Sequence, residues 1–306
     1  MWIPSPLPRK MSACERDIQS PKADVRASAV TDLVRHTRNE ETRAKALDLI
    51  AGALKDDAPK VRARAALALA DGDGGHEKLE PLLAALDDAD DEVRQLAVTA
   101  LGEIGDARAV PRLLRAAEDD RAAMRYQATI ALAILKEGKE EMRVKALLRA
   151  SSDDDFNVRY IAMRLAEEHF KTAPERLRLR AVALLEDEEA DVRVAAAIFL
   201  GHAGDERAKP LLRRVVRGEI QAQREDEREA VELVGTLAMR DLVPDLERRA
   251  FGAARHLRDT CSFHAIIALA RMGHARAVES IKRDLASRSE KRREAATVAA
   301  ERARLS

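Results

Sequence analysis

The sequence predicts an all-α chain of stacked helix hairpins, and three observations carry that prediction. One phrase recurs: an acidic turn, then Val-Arg, then an alanine-rich apolar stretch. It reads DEVRQLAVTALGEIGD from Asp91 and ADVRVAAAIFLGHAGD from Ala190. Weaker copies begin near Asp24, Ala58, Ala122 and Phe156, and Arg26, Arg62, Arg94, Arg125, Arg159 and Arg193 follow one another at gaps of 36, 32, 31, 34 and 34 residues. A steady period in this range marks supersecondary units that bury their apolar faces on one another. Composition is the second observation: 46% hydrophobic but only 3% aromatic, with abundant alanine, which suits close-packed helices better than a sheet. The third is punctuation. Gly105-Asp106 and Gly204-Asp205 are each followed by a proline six residues after the glycine, Pro111 and Pro210.

The elements follow in order. Residues 1–11 are expected to be a disordered tail, with three prolines in the first eight positions and no hydrophobic stretch of the secretory type. Helix-compatible sequence begins at Met11, which reads as an alternative start. Residues 12–304 are expected to form one repeat array. In the clearest unit Val93, Ala97, Ala100, Leu101 and Ile104 make one stripe of a helix. Asp90 or Asp91 caps its start, Gly105 stops it in a left-handed conformation, and Asp106 opens the next helix, with Pro111 where proline costs least. Val110, Leu113, Leu114 and Ala117 form that helix's apolar face. About nine such pairs are expected, a first helix A and a second helix B. The B helices begin near Lys22, Ala58, Asp90, Arg121, Asp154, Glu189, Asp226, Asp259 and Lys291. Past residue 204 the copies drift: the slot of Arg193 becomes Glu227 and then Ser262. Residues 217–229 are strongly polar and read as an extended or irregular turn.

Charge and cysteine content narrow the function classes. Lys+Arg and Asp+Glu are both 54, and zero net charge argues against a chain built mainly to grip nucleic acid. Cys14 and Cys261 have no metal or redox spacing, which reads as a reducing cytoplasm. No apolar run approaches a membrane span.

The D-x-V-R phrase, the alanine-rich second helix and the L-G-x-x-G-D ending resemble bacterial HEAT-like repeats of the short type found in phycobilisome-lyase-like proteins. The resemblance runs over roughly residues 13–304. It implies a right-handed α-solenoid with the B helices lining the concave face, and no particular chemistry.

Several positions are candidates for function. The Val-Arg arginines lie about 100° from the buried stripe. With Asp91 and Asp191, Arg62, Arg94, Arg125, Arg159 and Arg193 are expected to form a ladder between each B helix and the acidic turn of a neighbouring unit. The acidic turns, such as Asp153-Asp154-Asp155, line one edge; they read as caps, with a basic partner as the alternative. One residue further round lies a column nearly opposite the core that holds Tyr126 and Tyr160, both tyrosines of the chain. Tyr126, Ile130, Tyr160, Met163, Arg164, Val194, Ile198 and Phe263 are the expected partner-binding strip. Exposed aromatics serve as interface anchors; packing against neighbouring B helices is the other reading.

Enzymatic chemistry is not expected. HEAT-like hydroxylases, which the fold resembles, hold two irons with paired His-Glu dipeptides, and only His76-Glu77 has that order here, so neither a metal nor a cofactor is expected. There is no phosphate-binding loop and no G-x-S-x-G elbow. Cys261 occupies the slot of Val93 and reads as a buried, inert thiol. The function expected is a monomeric, cytoplasmic, non-catalytic scaffold that binds another protein on its B helices. The alternatives are nucleic-acid binding through a basic C-terminal segment (Lys282 to Arg304) or a basic concave patch, and phycobilin-lyase-like chaperoning of a client.

Overall fold

The computed structural model describes residues 9–135, 140–170, 172–252 and 261–305. These residues form helices and turns, with no strand among them. They fall into two compact units, one ending at Ile161 and one beginning at Ala162, where the sequence suggests a single array.

The first unit holds α1 (Met11–Asp17), α2 (Ala23–Leu33), α3 (Glu40–Ala53), α4 (Pro59–Asp71), α5 (Leu79–Ala84), α6 (Asp91–Ile104), α7 (Val110–Ala116), α8 (Ala122–Ile134) and α9 (Glu140–Ala150). Helix α10 (Phe156–His169) begins in it and ends in the second. The second unit continues with α11 (Glu175–Leu184), α12 (Ala190–His202), α13 (Lys209–Val216), α14 (Arg224–Thr236), α15 (Val243–Phe251), α16 (Ser262–Arg271), α17 (Ala275–Leu285) and α18 (Glu290–Ala303). Odd-numbered helices are A and even-numbered are B. B helices pack on their own A helices and on neighbouring B helices, as α2, α4, α6 and α8 do in the first unit and α12, α14, α16 and α18 in the second. In the first unit Val61, Ala65, Leu69, Val93, Ala97, Leu101, Ala128 and Leu132 lie in one continuous buried core.

Local chemistry explains the boundaries. Lys22, Ala58, Asp90, Arg121 and Glu189 are the N-cap residues of α2, α4, α6, α8 and α12, at the expected positions. Asp90 Oδ1 accepts from the backbone N–H of Glu92 and Val93. Gly105 ends α6 at φ 74°, a conformation a side chain would strain. Asp106 then caps a short 3-10 turn (Ala107–Ala109), and Pro111 sits in the first turn of α7.

Three expectations need correction. The tail expected over 1–11 lies partly outside the described residues, but Arg9 bonds Asp17 at 2.8 Å and Asp32 at 2.5 Å, and Met11 opens α1. In the polar run 217–229 only 217–223 are non-helical; α14 starts at Arg224, two residues before the expected start, because its acidic first turn of Glu225, Asp226 and Glu227 suits a helix N-terminus. The B helix expected near Asp259 starts at Ser262, and Asp259 itself lies outside the described residues.

The Val-Arg arginines lock turns to helices. Nη1 of Arg62, Arg94, Arg125, Arg159 and Arg193 donates to the carbonyl six residues earlier, at Asp56, Asp88, Asp119, Asp153 and Asp187. The other nitrogens reach the next turn: Arg26 grips Asp56, Arg62 grips Asp88 and Arg125 grips Asp153, each through two bonds of 2.6–2.8 Å. Those carboxylates also accept from the backbone N–H two residues on, at Ala58, Asp90 and Asp155. Asp56, Asp88 and Asp153 are therefore acids of the ladder. Asp91 instead pairs with Arg121 and Arg94, and Asp191 accepts from Gln223. Arg94 departs from the pattern because Arg121, two residues beyond Asp119, holds that carboxylate at 2.8 Å. Where the slot becomes Glu227 it pairs with Arg249 at 2.8 Å, and where it becomes Ser262 the hydroxyl donates to the Ala250 carbonyl.

B helices approach one another through glycine. A Cβ on Gly102 would lie 2.7 Å from the Ala131 Cα, and one on Gly235 2.5 Å from the Ala268 Cα. Gly235→Val should therefore destabilise the protein by at least the roughly 1–3 kcal/mol of an overpacked core, read from denaturant melts; an unchanged midpoint would refute the contact. A second prediction concerns acid. Asp119 and Asp205 are held at about 2 by hydrogen bonds from Arg121 and Arg207, against about 4 in an unfolded chain. Their stabilisation is complete above about pH 4 and is lost as pH falls toward 2. Arg121→Gln with Arg207→Gln should shift that loss to higher pH and raise both carboxyl titrations by NMR.

Candidate functional site

The expected binding strip divides on burial. Met163, Val194 and Ile198 are fully buried. In α12 every residue from Val194 to Gly201 is buried, because a helix this apolar on all sides is enclosed by its neighbours. These three are packing residues, which corrects their placement on an open face. Tyr126, Ile130, Tyr160 and Phe263 are half-buried. Tyr126 lines a shallow cleft of about 430 Å³ with Ala122, Ala123, Gln127, Asp155 and Asn157. Phe263 stands edge-on to His264, ring centres 5.6 Å apart.

Arg164 belongs to a different feature, one that sequence reasoning did not bring together. In the second unit α10, α12 and α14 converge on a charged centre. His202 Nε2 lies 2.9 Å from Glu229 Oε1 and 3.7 Å from Glu167 Oε1. Arg164 lies on the other oxygens, with Nη1 2.8 Å from Glu229 Oε2 and Nη2 3.9 Å from Glu167 Oε2. Its Nε is 3.5 Å from Oδ1 of Asp226, which is 1% exposed. Spacings of 35 residues from Glu167 to His202 and 27 from His202 to Glu229 match no motif.

The electrostatics follow from this crowding. Burial and the neighbouring Glu229 raise the Glu167 carboxyl. The hydrogen bond to Glu229 raises His202 against its own desolvation. Burial opposes ionisation of Glu229, but the His202 bond and the Arg164 charge outweigh it and pull the group down. Desolvation works against the Arg164 charge, and Glu229 and Asp226 more than compensate.

Beside this centre a cleft of about 440 Å³ opens over α12, α14, α16 and α18, and its walls include His202, Arg228, Glu232, His264, Arg271 and Arg302. Arg302 Nη1 donates to Glu232 Oε1 at 2.8 Å, and His264 Nε2 lies 3.7 Å from the same oxygen. Desolvation lowers both His264 and Arg271. Arg228 Nε and His264 Nδ1 are buried and have no hydrogen-bond partner among the described residues. His76-Glu77 is remote in role: Glu77 pairs with Arg43, and the His76 carbonyl accepts from Arg108.

Removing the guanidinium tests how far the centre stabilises the fold. Arg164→Met removes the guanidinium beside Asp226 and Glu229 and should cost about 3 kcal/mol, the low end for a broken buried pair. Adding Asp226→Asn should recover part of that loss in denaturant melts.

Comparison with known proteins bears on the fold. Residues 79–166 match the family model for HEAT repeats and residues 192–218 that for the PBS lyase HEAT-like repeat. Among proteins of curated function none matches the chain. YibA of Escherichia coli has a similar structure, with a TM-score of 0.61 at 19% identity over 85% of this chain and 92% of that one. A chain from the complex of Kap95p with RanGDP gives a TM-score of 0.57 at 15% identity, over 95% of this chain and 46% of that one. The CpcE–CpcF phycocyanin lyase complex of Nostoc sp. PCC7120 gives a TM-score of 0.46 at 16% identity, over 88% of this chain and 98% of that one. At these identities the structural likenesses concern fold alone. The two matched segments thus carry HEAT-type repeats, of the PBS-lyase type at residues 192–218, and the likenesses to YibA and to the chain of the Kap95p complex agree with a fold of paired helices.

Proposed function

We propose that this protein is a non-catalytic adaptor that binds a segment of a partner protein on its B helices. The cleft over α12, α14, α16 and α18 carries the reading: it gathers acids, arginines and histidines, and two buried nitrogens in its walls, Arg228 Nε and His264 Nδ1, have no hydrogen-bond partner among the described residues. A polar peptide segment would complement the charged walls of this cleft. In the first unit the half-buried Tyr126 and Tyr160 supply further anchors, and the acidic turns would tune approach and specificity. The Kap95p–RanGDP complex shows that a chain of similar fold engages a protein, which supports the reading by analogy.

The test is affinity capture from the native host followed by mass spectrometry, comparing the wild type with Arg228→Ala/His264→Ala and with Tyr126→Ser/Tyr160→Ser. A protein retained by the wild type should be lost from the first variant while its melting stays normal, and weakened in the second. Equal capture by all three overturns the assignment.

A further inference from the structure

The charged centre has a geometry that adaptor binding does not require. Three donors from three successive B helices, one atom each of Glu167, His202 and Glu229, all lie within 4.8 Å of one another. Donors on one ion, at bond lengths of about 2.0–2.2 Å, lie at most about 4.4 Å apart, so closing the set asks for little more than side-chain rotation. Each carboxylate turns one oxygen toward His202 and the other toward Arg164. That is the arrangement of ligands held in place by an outer partner, which fixes which oxygen is presented.

Glu167, Glu229 and the buried Asp226 all lie beside the Arg164 guanidinium. His202 and Glu229 also line the open cleft, so a bound ion would keep positions open to solvent or ligand.

We propose that His202, Glu167 and Glu229 form a binding site for a divalent transition-metal ion. One imidazole and two carboxylates suit zinc, cobalt, manganese or iron(II), whereas magnesium and calcium favour all-oxygen sets. The inference stands independently of partner binding, because Arg228 and His264, on which that reading rests, are not ligands.

The test uses the full chain, dialysed free of metal and titrated with Zn²⁺ and separately with Mg²⁺ by calorimetry. Co²⁺ absorption reports the coordination environment. One Zn²⁺ per chain is expected, with an upward shift in melting temperature and no comparable response to Mg²⁺. Glu167→Gln and His202→Asn should each weaken Zn²⁺ binding more than roughly a hundred-fold, beyond the 10–100-fold typical of outer-shell changes, with unchanged circular dichroism. If Glu229→Gln fails to fold, these two variants still decide the matter. Absence of Zn²⁺ binding, or binding undiminished in both variants, overturns the proposal.

Discussion

One aspartate in the turn between paired helices does two things at once, and the regularity of the first unit depends on it. Asp56, Asp88 and Asp153 each accept a backbone N–H at the entrance to the following B helix and two guanidinium bonds from the preceding one. The arginine's remaining nitrogen returns to a carbonyl of its own turn. A capping interaction is thereby joined to a contact between repeats, so the start of one helix is fixed relative to its neighbour. The pairs are mostly sheltered, at 15% exposure for Arg62 and 10% for Asp88, so water competes weakly and charge-assisted, bidentate bonding retains its strength.

Much of this is legible in the sequence. Helix starts follow from acidic turns and Val-Arg pairs, because capping and apolar periodicity are local properties. Gly105 and Pro111 announce a stop and a restart for the same reason. The exposure of the B-helix face was not legible. Whether Val194 or Ile198 meets water depends on how closely adjacent helices approach, and that distance is set by glycines on other helices, such as Gly102 against Ala131. The charged centre was hidden more deeply. Glu167 and His202 lie near the ends of α10 and α12, whereas Glu229 lies in the first half of α14. No column read down the repeats contains all three.

The second unit shows what happens when the repeat phrase decays. Once the arginine slot becomes Glu227, the compensating charge arrives from α15 as Arg249, on the other helix of a pair. Asp226, next to that slot, is buried against Arg164. Polar groups that would have served the joint between repeats are thus released toward the B helices. The departure from consensus coincides with the part of the chain where ionisable side chains gather, in keeping with functional sites breaking local rules that the rest of a fold obeys.

The joint between repeats is also directional: every hairpin of the regular kind extends a cation forward and offers an anion backward. Excising or duplicating one complete hairpin would bring another equivalent cation onto another equivalent anion and strand neither. An array joined in this way can change length during evolution by whole modules, at little electrostatic penalty, and only its two ends need bespoke residues.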